Sequence, residues 1–193
     1  MSDLLRVEDL HVRFATPGGF LEAVKGVSFR VPPAATVALV GESGSGKSVV
    51  SQSILRILPR NGAITRGAIR FADPRLDGEV VDLVQLPADG EAMRAIRGGR
   101  ISIIFQEPMS SLSPLHTIGD QVGEALKLHR AVTAAEAKEL TTQMLRLVGF
   151  PDPQRAWRSY AFELSGGLRQ RAMIAMALVC RPALLIADRV QRR

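Results

Sequence analysis

The stretch that decides the fold is Gly41-Glu42-Ser43-Gly44-Ser45-Gly46-Lys47-Ser48, which fits the pattern G-x-x-x-x-G-K-[ST] at every fixed position. A compact apolar run from Thr36 to Val40 comes before this glycine-rich loop. Helical spacing follows the loop from Val49 to Leu58, where Pro59 ends the pattern. Strand, glycine-rich loop and helix in this order are the context that phosphate binding requires. The sequence therefore predicts an α/β fold with a phosphate site at a helix start.

Each residue type in the glycine-rich loop has a separate use in holding phosphate. The glycines let the backbone wrap closely enough for successive N–H groups to point at one phosphate, and the helix that starts near Lys47 adds its positive dipole end. Lys47 supplies a mobile charge for the β- and γ-phosphates, and the Ser48 hydroxyl can take one Mg²⁺ coordination position. The alternative is a flexible turn without a ligand. The loop alone does not separate a transporter ATPase from a small-molecule kinase or a GTPase.

A second candidate anion site lies in the segment Leu164-Ser165-Gly166-Gly167-Leu168-Arg169-Gln170-Arg171. Ser165 is a suitable N-cap residue, and the amides of Gly166 and Gly167 would be free donors at the start of a helix. An ordinary capped helix is the alternative. One nucleotide does not need two such sites in one chain.

This second segment resembles the signature motif of the ABC ATPase family, and we call it the signature segment. The resemblance implies that the signature of one subunit closes on the γ-phosphate bound by another subunit, so that ATP drives dimerisation. It also implies ATP and Mg²⁺ as cofactors, with Gly41 to Ser48 and Ser165 to Gly167 in contact with the nucleotide.

Gln106 follows a predicted buried strand, Ile101 to Phe105, and begins the run Gln106 to Pro114. The position resembles the Q-loop of the ABC family, which implies that Gln106 reaches Mg²⁺ and the attacking water and that its backbone hinges toward a transmembrane partner. The run from Phe105, together with Thr117-Ile118-Gly119, is similar to the oligopeptide, dipeptide and nickel importer group. Ser113 stands where that group is expected to have asparagine.

Asp188 ends a third predicted strand, which begins at Ala183, and it resembles the Walker B aspartate of the family. The resemblance implies that Ser48, Gln106 and Asp188 hold Mg²⁺, the aspartate through water, and that Gln106 and Asp188 are the catalytic residues. Phe14 is a candidate for stacking on the adenine, because every base offers a π-face to an aromatic ring. A phenylalanine in the hydrophobic core is the alternative.

Arg189 stands where the family has a glutamate that polarises the attacking water. Replacing a carboxylate with a permanent cation removes the base and adds a charge of the wrong sign beside the water. The D-loop and switch histidine of the family have no counterpart before the chain ends at Arg193. We therefore expect a truncation after Asp188, with residues 189–193 from a frameshift or an early stop, weak nucleotide binding and doubtful hydrolysis.

Alternation of apolar and polar residues predicts an N-terminal antiparallel β layer at Leu4 to Val7, His11 to Phe14 and Val27 to Val31. The resemblance adds a P-loop NTPase, RecA-like core and an inserted helical subdomain, with the C-terminal part of the family fold missing. We expect one incomplete ABC nucleotide-binding domain over residues 1–193, with the ATP-binding core at 1–107 and 161–193 and the helical subdomain at 108–160.

Apolar residues recur at helical spacing from Thr133 to Val148, which predicts an amphipathic helix. Thr133 with Glu136 gives a capping-box signal, and Gly149 is placed for a C-terminal cap. A further helix is predicted to begin after Ser165 and to run to about Cys180.

The chain has 193 residues, of which 46% are hydrophobic and 23% are charged, as expected of a globular protein with one substantial core. Its apolar runs are shorter than the roughly 20 residues of a membrane-spanning helix, and the N-terminus has no secretory signal pattern. Cys180 is the single cysteine and is expected to act as a small hydrophobe. A net charge of +6 suits nucleic acid, a phosphorylated ligand or an anionic membrane surface and does not choose among them.

The residues and the resemblance together predict the ATP-binding subunit of an ABC importer for peptides or similar solutes. Expected partners are a second ATP-binding subunit, in a homo- or heterodimer, transmembrane permease subunits and, indirectly, a solute-binding protein, with no nucleic acid among them. The expected location is the cytoplasmic face of the inner membrane, as a peripheral protein. One alternative is a catalytically impaired nucleotide-binding remnant. Another is a soluble ABC ATPase of DNA repair or translation, against which the run Gln106 to Pro114 argues.

Overall fold

The computed structural model describes residues 3–75, 79–105 and 112–188 of the chain. The chain divides into two compact units, residues 1–94 and residues 95–193. The first unit contains a four-stranded sheet, and the second contains a pair of short strands together with most of the helices.

The sheet of the first unit is antiparallel, with the strand order β2-β1-β3-β4. Its strands are β1 (Leu5–Thr16), β2 (Gly19–Val31), β3 (Gly62–Ala72) and β4 (Val80–Asp82). The predicted N-terminal antiparallel layer is therefore confirmed. The first two predicted strands merge into β1, the third lies within β2, and a tight turn at residues 17–18 joins these two long strands as a hairpin.

A bulge in β1 keeps the apolar residues of this strand on one face of the sheet. Leu5 and Val7, and then Leu10 and Val12, are buried, although the step from Val7 to Leu10 is three residues rather than two. The strand pairing shifts register at this step, and Asp9 takes a positive φ of 46°. The extra residue restores the alternation, so that all four apolar side chains lie in the core of the first unit.

Helix α1 (Lys47–Ile54) begins within the glycine-rich loop, as predicted. It ends before the predicted limit at Leu58, because Leu55 is its C-cap and Arg56 turns to a left-handed φ of 54°. A short helix, α2 (Glu91–Ile96), comes after β4 in the chain.

The predicted strand at Thr36 to Val40 is wrong. Among the described residues neither sheet includes this run, and Val40 has 91% of its surface exposed. An apolar run becomes a strand only where a neighbouring strand completes its hydrogen bonds, and the run itself does not identify that neighbour. The glycine-rich loop therefore follows a segment without regular secondary structure, and of the expected strand, loop and helix the structure shows the loop and the helix.

The second unit pairs β5 (Ile101–Ile104) with β6 (Leu184–Ala187) in parallel, which confirms both predicted strands to within one residue at each end. Its helices are α3 (Ile118–His129), α4 (Ala134–Leu147), α5 (Pro153–Arg158) and α6 (Gly166–Leu178), with a 3₁₀ turn at Ala161–Glu163. These helices share one core, whose fully buried members include Ile118, Val122, Leu126, Leu145 and Ala172.

The predicted caps of α4 are confirmed by hydrogen bonds. The Thr133 hydroxyl accepts from the Glu136 N–H at 3.3 Å, and the Glu136 carboxylate accepts from the Thr133 N–H at 2.7 Å. The backbone bond from Thr133, with a second bond from its hydroxyl, lowers the pKa of Glu136. Gly149 follows the C-cap residue Val148 and takes a φ of 87°.

Cys180 is buried, as expected of a small hydrophobe, and its thiol donates to the Ala125 carbonyl at 3.3 Å. No helix within residues 3–75, 79–105 and 112–188 combines the length and the apolar character needed to cross a bilayer.

Candidate functional site

The ammonium group of Lys47 closes the glycine-rich loop. Its Nζ donates to the carbonyl oxygens of Gly41 at 2.8 Å and Glu42 at 2.6 Å, and to the hydroxyl of Ser45 at 3.3 Å. The Ser45 N–H in turn donates to the Glu42 carbonyl at 3.2 Å. The loop thus folds back on its own lysine, which places a positive charge among backbone groups at the start of α1.

Two glycines of this loop hold conformations that other residues avoid. Gly44 and Gly46 have φ angles of 80° and 90°, in the left-handed region. A Cβ on Gly46 would also lie 2.5 Å from the carbonyl oxygen of Ala23 on β2. The loop therefore packs directly on the sheet, and position 46 needs glycine for both conformation and space.

Helix α1 begins at Gly46 with no side-chain cap among the described residues, and its first turn carries no acidic residue. N–H groups at a helix start need a hydrogen-bond partner, and the helix dipole favours an anion as that partner. Ser48 lies in this first turn and is half-buried. A cation, N–H donors and a hydroxyl are therefore close together in the chain at one helix start.

Phe14 lies on β1 opposite Leu21 of β2 and Gly62 of β3. Its ring covers Gly62, where an added Cβ would be 2.6 Å from the ring atom Cε1. The ring is half-buried and is not a member of the buried core. Phe14 is part of the β1–β2 hairpin, and the glycine-rich loop packs on Ala23 of the same hairpin. Stacking of adenine on Phe14 stays a prediction.

Ser165 is the N-cap of α6, as predicted, and its hydroxyl accepts from the Leu168 N–H at 3.4 Å. Gly166 and Gly167 form the first turn of this helix. Among the described residues, a Cβ added to either glycine would meet no atom within 4 Å. Open space beside a helix start is what a second anion site requires, and anion binding there stays a prediction.

Arg169 belongs to the signature segment, but the sequence assigned it no role. Its Nε donates to the carbonyl oxygens of Ala161 at 2.8 Å and Leu164 at 3.0 Å, both just before Ser165. The signal in the sequence was an arginine four residues after the N-cap serine. That signal does not show which carbonyls the guanidinium meets, because they belong to the preceding turn.

Asp188 directly follows β6, and its N–H donates to the Ile104 carbonyl at 3.1 Å. Because β5 and β6 are parallel, their carboxyl ends meet at the same edge of the sheet. Gln106 comes soon after β5 in the sequence but lies outside the described residues, as does Arg189. The grouping of Ser48, Gln106 and Asp188 around Mg²⁺ therefore stays a prediction.

A family model described as ABC transporter matches residues 24–190 of the chain. The matched range takes in the glycine-rich loop, the signature segment and Asp188. The chain belongs to the ABC transporter family. This confirms the resemblance that the two glycine-containing motifs indicated, and with it the α/β fold of a P-loop NTPase.

Two relatives of this ABC chain have names that refer to the transport of peptides. A putative peptide import ATP-binding protein of Brucella ovis is 51% identical over 186 residues, which are 96% of this chain and 54% of that protein. The dipeptide transport ATP-binding protein DppD of Bacillus subtilis is 49% identical over 189 residues, which are 97% of this chain and 54% of that protein. The chain thus spans about half the length of these relatives.

Solved ABC cassettes share the fold of this chain. A dimeric structure of the bacterial ABC transporter cassette MJ0796 matches with a TM-score of 0.78 and 24% identity, over 95% of this chain and 73% of that one. A structure of the same cassette in a post-hydrolysis state, bound to ADP and Pi, gives a TM-score of 0.79 at 24% identity. At this identity the likeness concerns the fold alone, and the fold is the one predicted.

Proposed function

We propose that this ABC chain binds ATP with Mg²⁺ and acts as the ATP-binding subunit of an importer for peptides or similar solutes. The observation that carries the proposal is the glycine-rich loop closed around Lys47 at the start of α1, where no described side chain caps the helix. The names of the two relatives, each of which matches at least 96% of this chain, support peptides as the solute class.

The hydrogen bonds of Lys47 explain why the loop would accept a phosphate. The ammonium donates to two neutral carbonyl oxygens and one hydroxyl. In a bond from the ammonium to a phosphate oxygen both partners are ionised, so the attraction is stronger than that between the ammonium and a neutral carbonyl. ATP would therefore draw at least one donor of Lys47 away from the loop, and the N–H groups of the first turn would bind the same phosphates.

The remaining predicted contacts fit the chemistry of ATP with Mg²⁺. Hydroxyl, amide and carboxylate oxygens are hard ligands that suit this ion, so Ser48 and Gln106 would hold it directly and Asp188 through water. Bound Mg²⁺ would offset the charge of the phosphates. Phe14 would supply an aromatic face to the adenine, and its half-buried ring supports this role.

The start of α6 supports a dimer of ATP-binding subunits. Open space beside Gly166 and Gly167 would let a second set of N–H donors reach the ATP bound by a partner chain. ATP would bring two subunits together, and hydrolysis would let them part. The ATP-binding core would comprise residues 1–107 and 161–193, with residues 108–160 as the helical subdomain.

The movement of such a dimer would pass to transmembrane permease subunits. This chain would then be a peripheral protein on the cytoplasmic face of the membrane, with a solute-binding protein as an indirect partner.

Arg189 favours a second candidate function, nucleotide binding with little or no hydrolysis. A guanidinium has no acceptor for a water proton and cannot act as a general base. A chain of this kind would occupy or regulate a complex through its bound nucleotide.

Titration of the purified chain with a fluorescent ATP analogue and Mg²⁺ tests the binding step. We expect saturable binding that Lys47→Ala weakens at least about tenfold, because it removes a charge-assisted hydrogen bond of about 1.5–3 kcal/mol. Lys25→Ala, at an exposed lysine of β2, is the matched control and should bind like the parent chain. No binding by the parent, or equal binding by the parent and Lys47→Ala, would refute the proposal.

Phosphate release separates the two candidate functions. Turnover that depends on Lys47 supports the hydrolysing subunit, whereas binding without turnover supports the second candidate. Arg189→Glu places a carboxylate at the position in question, and we expect it to raise turnover if Arg189 alone prevents hydrolysis.

A further inference from the structure

We propose that Arg169 is a positioning residue, which fixes the direction of the start of α6 toward the nucleotide of a second chain. The inference rests on the proposed function of that helix start and names the side chain that holds it. The Arg169 Nε bonds to the carbonyls of Ala161 and Leu164, and a nitrogen of the same guanidinium, Nη2, reaches the Phe162 carbonyl at 3.5 Å. One side chain therefore bonds two carbonyls of the segment that leads into Ser165, with a third at the long limit of a hydrogen bond.

The segment before Ser165 has weak backbone bonding of its own. It is a single 3₁₀ turn, in which the Glu163 N–H donates to the Tyr160 carbonyl at 3.1 Å and the Leu164 N–H donates to the Ala161 carbonyl at 3.3 Å. Hydrogen bonds in 3₁₀ turns have poorer geometry than those in α-helices. The Arg169 guanidinium is planar and rigid, so it can bond several carbonyls in one fixed arrangement. It therefore adds a constraint on this turn, beside the bond that the Tyr160 N–H donates to the Glu163 carboxylate at 2.7 Å.

The turn is fixed to the core on its other side. Ala161 and Leu164 are 7% and 8% exposed, and both belong to the helical core of the second unit. The bond from the Leu168 N–H to the Ser165 hydroxyl, at 3.4 Å, is long for a hydrogen bond and holds the helix start only weakly. Arg169 thus joins the first turn of α6 to a turn that the core already holds.

Arg171 offers a matched comparison on the same helix. Its guanidinium also donates to a backbone carbonyl, that of Gly149 at the end of α4. Both arginines hold α6 to another element of the second unit, but Arg169 is the one bonded to the turn before the signature segment. A general loss of packing should therefore affect both variants, whereas a change in the helix start should affect Arg169 variants alone.

Three variants of the full chain, Arg169→Met, Arg169→Lys and Arg171→Met, test the inference. Amide hydrogen exchange without nucleotide measures the turn and the helix start directly. We expect Arg169→Met to raise exchange at residues 161–168 at least about tenfold and Arg171→Met to raise it at the end of α4 instead, as loss of a hydrogen bond to a charged group predicts. Arg169→Lys should be intermediate, since an ammonium keeps the charge but lacks the rigid planar donor array.

Sedimentation measures ATP-dependent dimerisation, which tests whether the direction of the helix start matters for binding the partner's nucleotide. We expect Arg169→Met to weaken dimerisation at least about tenfold while ATP affinity of the single chain stays within about twofold, because the glycine-rich loop is unchanged. Arg171→Met should weaken dimerisation less than Arg169→Met at a comparable loss of thermal stability, because its bond goes to Gly149 and not to the turn before Ser165. Arg169→Lys should recover part of the dimerisation.

Two results would overturn the assignment. One is unchanged exchange at residues 161–168 in Arg169→Met, and the other is equal loss of dimerisation in Arg169→Met and Arg171→Met. If the parent chain binds ATP but does not dimerise, the proposed dimer is wrong, and so is the direction assigned to Arg169. The exchange data would then show whether its bonds to the turn are structural alone.

Discussion

At the start of α1 two glycines are held in left-handed conformations, whereas at the start of α6 the glycines take helical positions with open space beside them. A Cβ on Gly46 would meet the Ala23 carbonyl at 2.5 Å, while among the described residues a Cβ on Gly166 or Gly167 would meet nothing within 4 Å. Gly46 is thus required by the backbone of the protein itself, and Gly166 and Gly167 leave room beside a helix start. Glycine in the first motif therefore allows a left-handed turn and close backbone packing, whereas in the second motif it leaves space beside the helix start.

The two helix starts also differ in how they are held. Lys47 is bonded within its own loop, to carbonyls five and six residues before it. The start of α6 has a long cap bond from Ser165 and an external constraint from Arg169. The hydrogen bonds of Lys47 therefore stay within its own loop, whereas the start of α6 depends on the turn before it.

Gly46→Ala is expected to have the largest effect, and it tests most directly the difference between the glycines of the two helix starts. It forces a left-handed residue with a side chain against the Ala23 carbonyl, and we expect a loss of about 2–3 kcal/mol in the free energy of unfolding. ATP affinity should fall together with stability, since the loop would have to move off β2. Denaturant unfolding and ATP titration measure both quantities, and an alanine tolerated here would mean that the loop does not need its left-handed turn.

Lys47→Ala should affect binding far more than stability. Its hydrogen bonds are exposed, so their loss should change the free energy of unfolding by less than about 1 kcal/mol. The loss of ATP affinity should be at least about tenfold, as stated above for the binding step. Thermal unfolding with and without ATP separates the two effects, and a large loss of stability without ATP would show that the lysine is chiefly structural.

Ser165→Ala tests whether the start of α6 depends on its cap. Loss of an N-cap serine costs about 0.5–2 kcal/mol, and the length of this bond places our expectation near 0.5 kcal/mol. Thr133→Ala at the start of α4 is the control, because its capping box has two reciprocal bonds and should cost more. Denaturant unfolding of the two variants checks the order, and a larger effect at Ser165 would contradict the weak cap.

Gly166→Ala should have the smallest effect on stability. Alanine has a higher helix propensity than glycine, and the added methyl meets open space, so we expect no loss and a gain of up to about 0.5 kcal/mol. ATP-dependent dimerisation should nevertheless weaken, because the methyl would occupy the space proposed for the partner's nucleotide. A destabilised Gly166→Ala variant would remove the contrast with Gly46.

The sequence predicted features that depend on neighbours in the chain. The beginning of α1 within the glycine-rich loop, the N-cap at Ser165 and the capping box of Thr133 and Glu136 were all predicted from spacing and residue type. Each involves atoms within about four residues of one another, so the local sequence contains nearly all the information that sets them.

The predicted strand at Thr36 to Val40 and the missed bulge concern partners that are distant in the chain. Thr36 to Val40 has the composition of a buried strand, but neither sheet includes it among the described residues. The bulge at Asp9 was likewise not visible in the alternation of β1, since it depends on pairing with β2 and β3. Strand pairing is a property of two segments, and one segment does not specify it.

By itself the sequence determined the ABC family, through the residue types and spacing of two motifs, and it determined where the helices of those motifs begin. Only the tertiary structure decided that Gly46 touches Ala23, that Phe14 covers Gly62 and that Arg169 holds the turn before Ser165. The physical reason is the range of the interactions. A helix start is stabilised by bonds along one short segment, whereas close backbone approach and side-chain bonds to another turn exist only after separate segments have packed together.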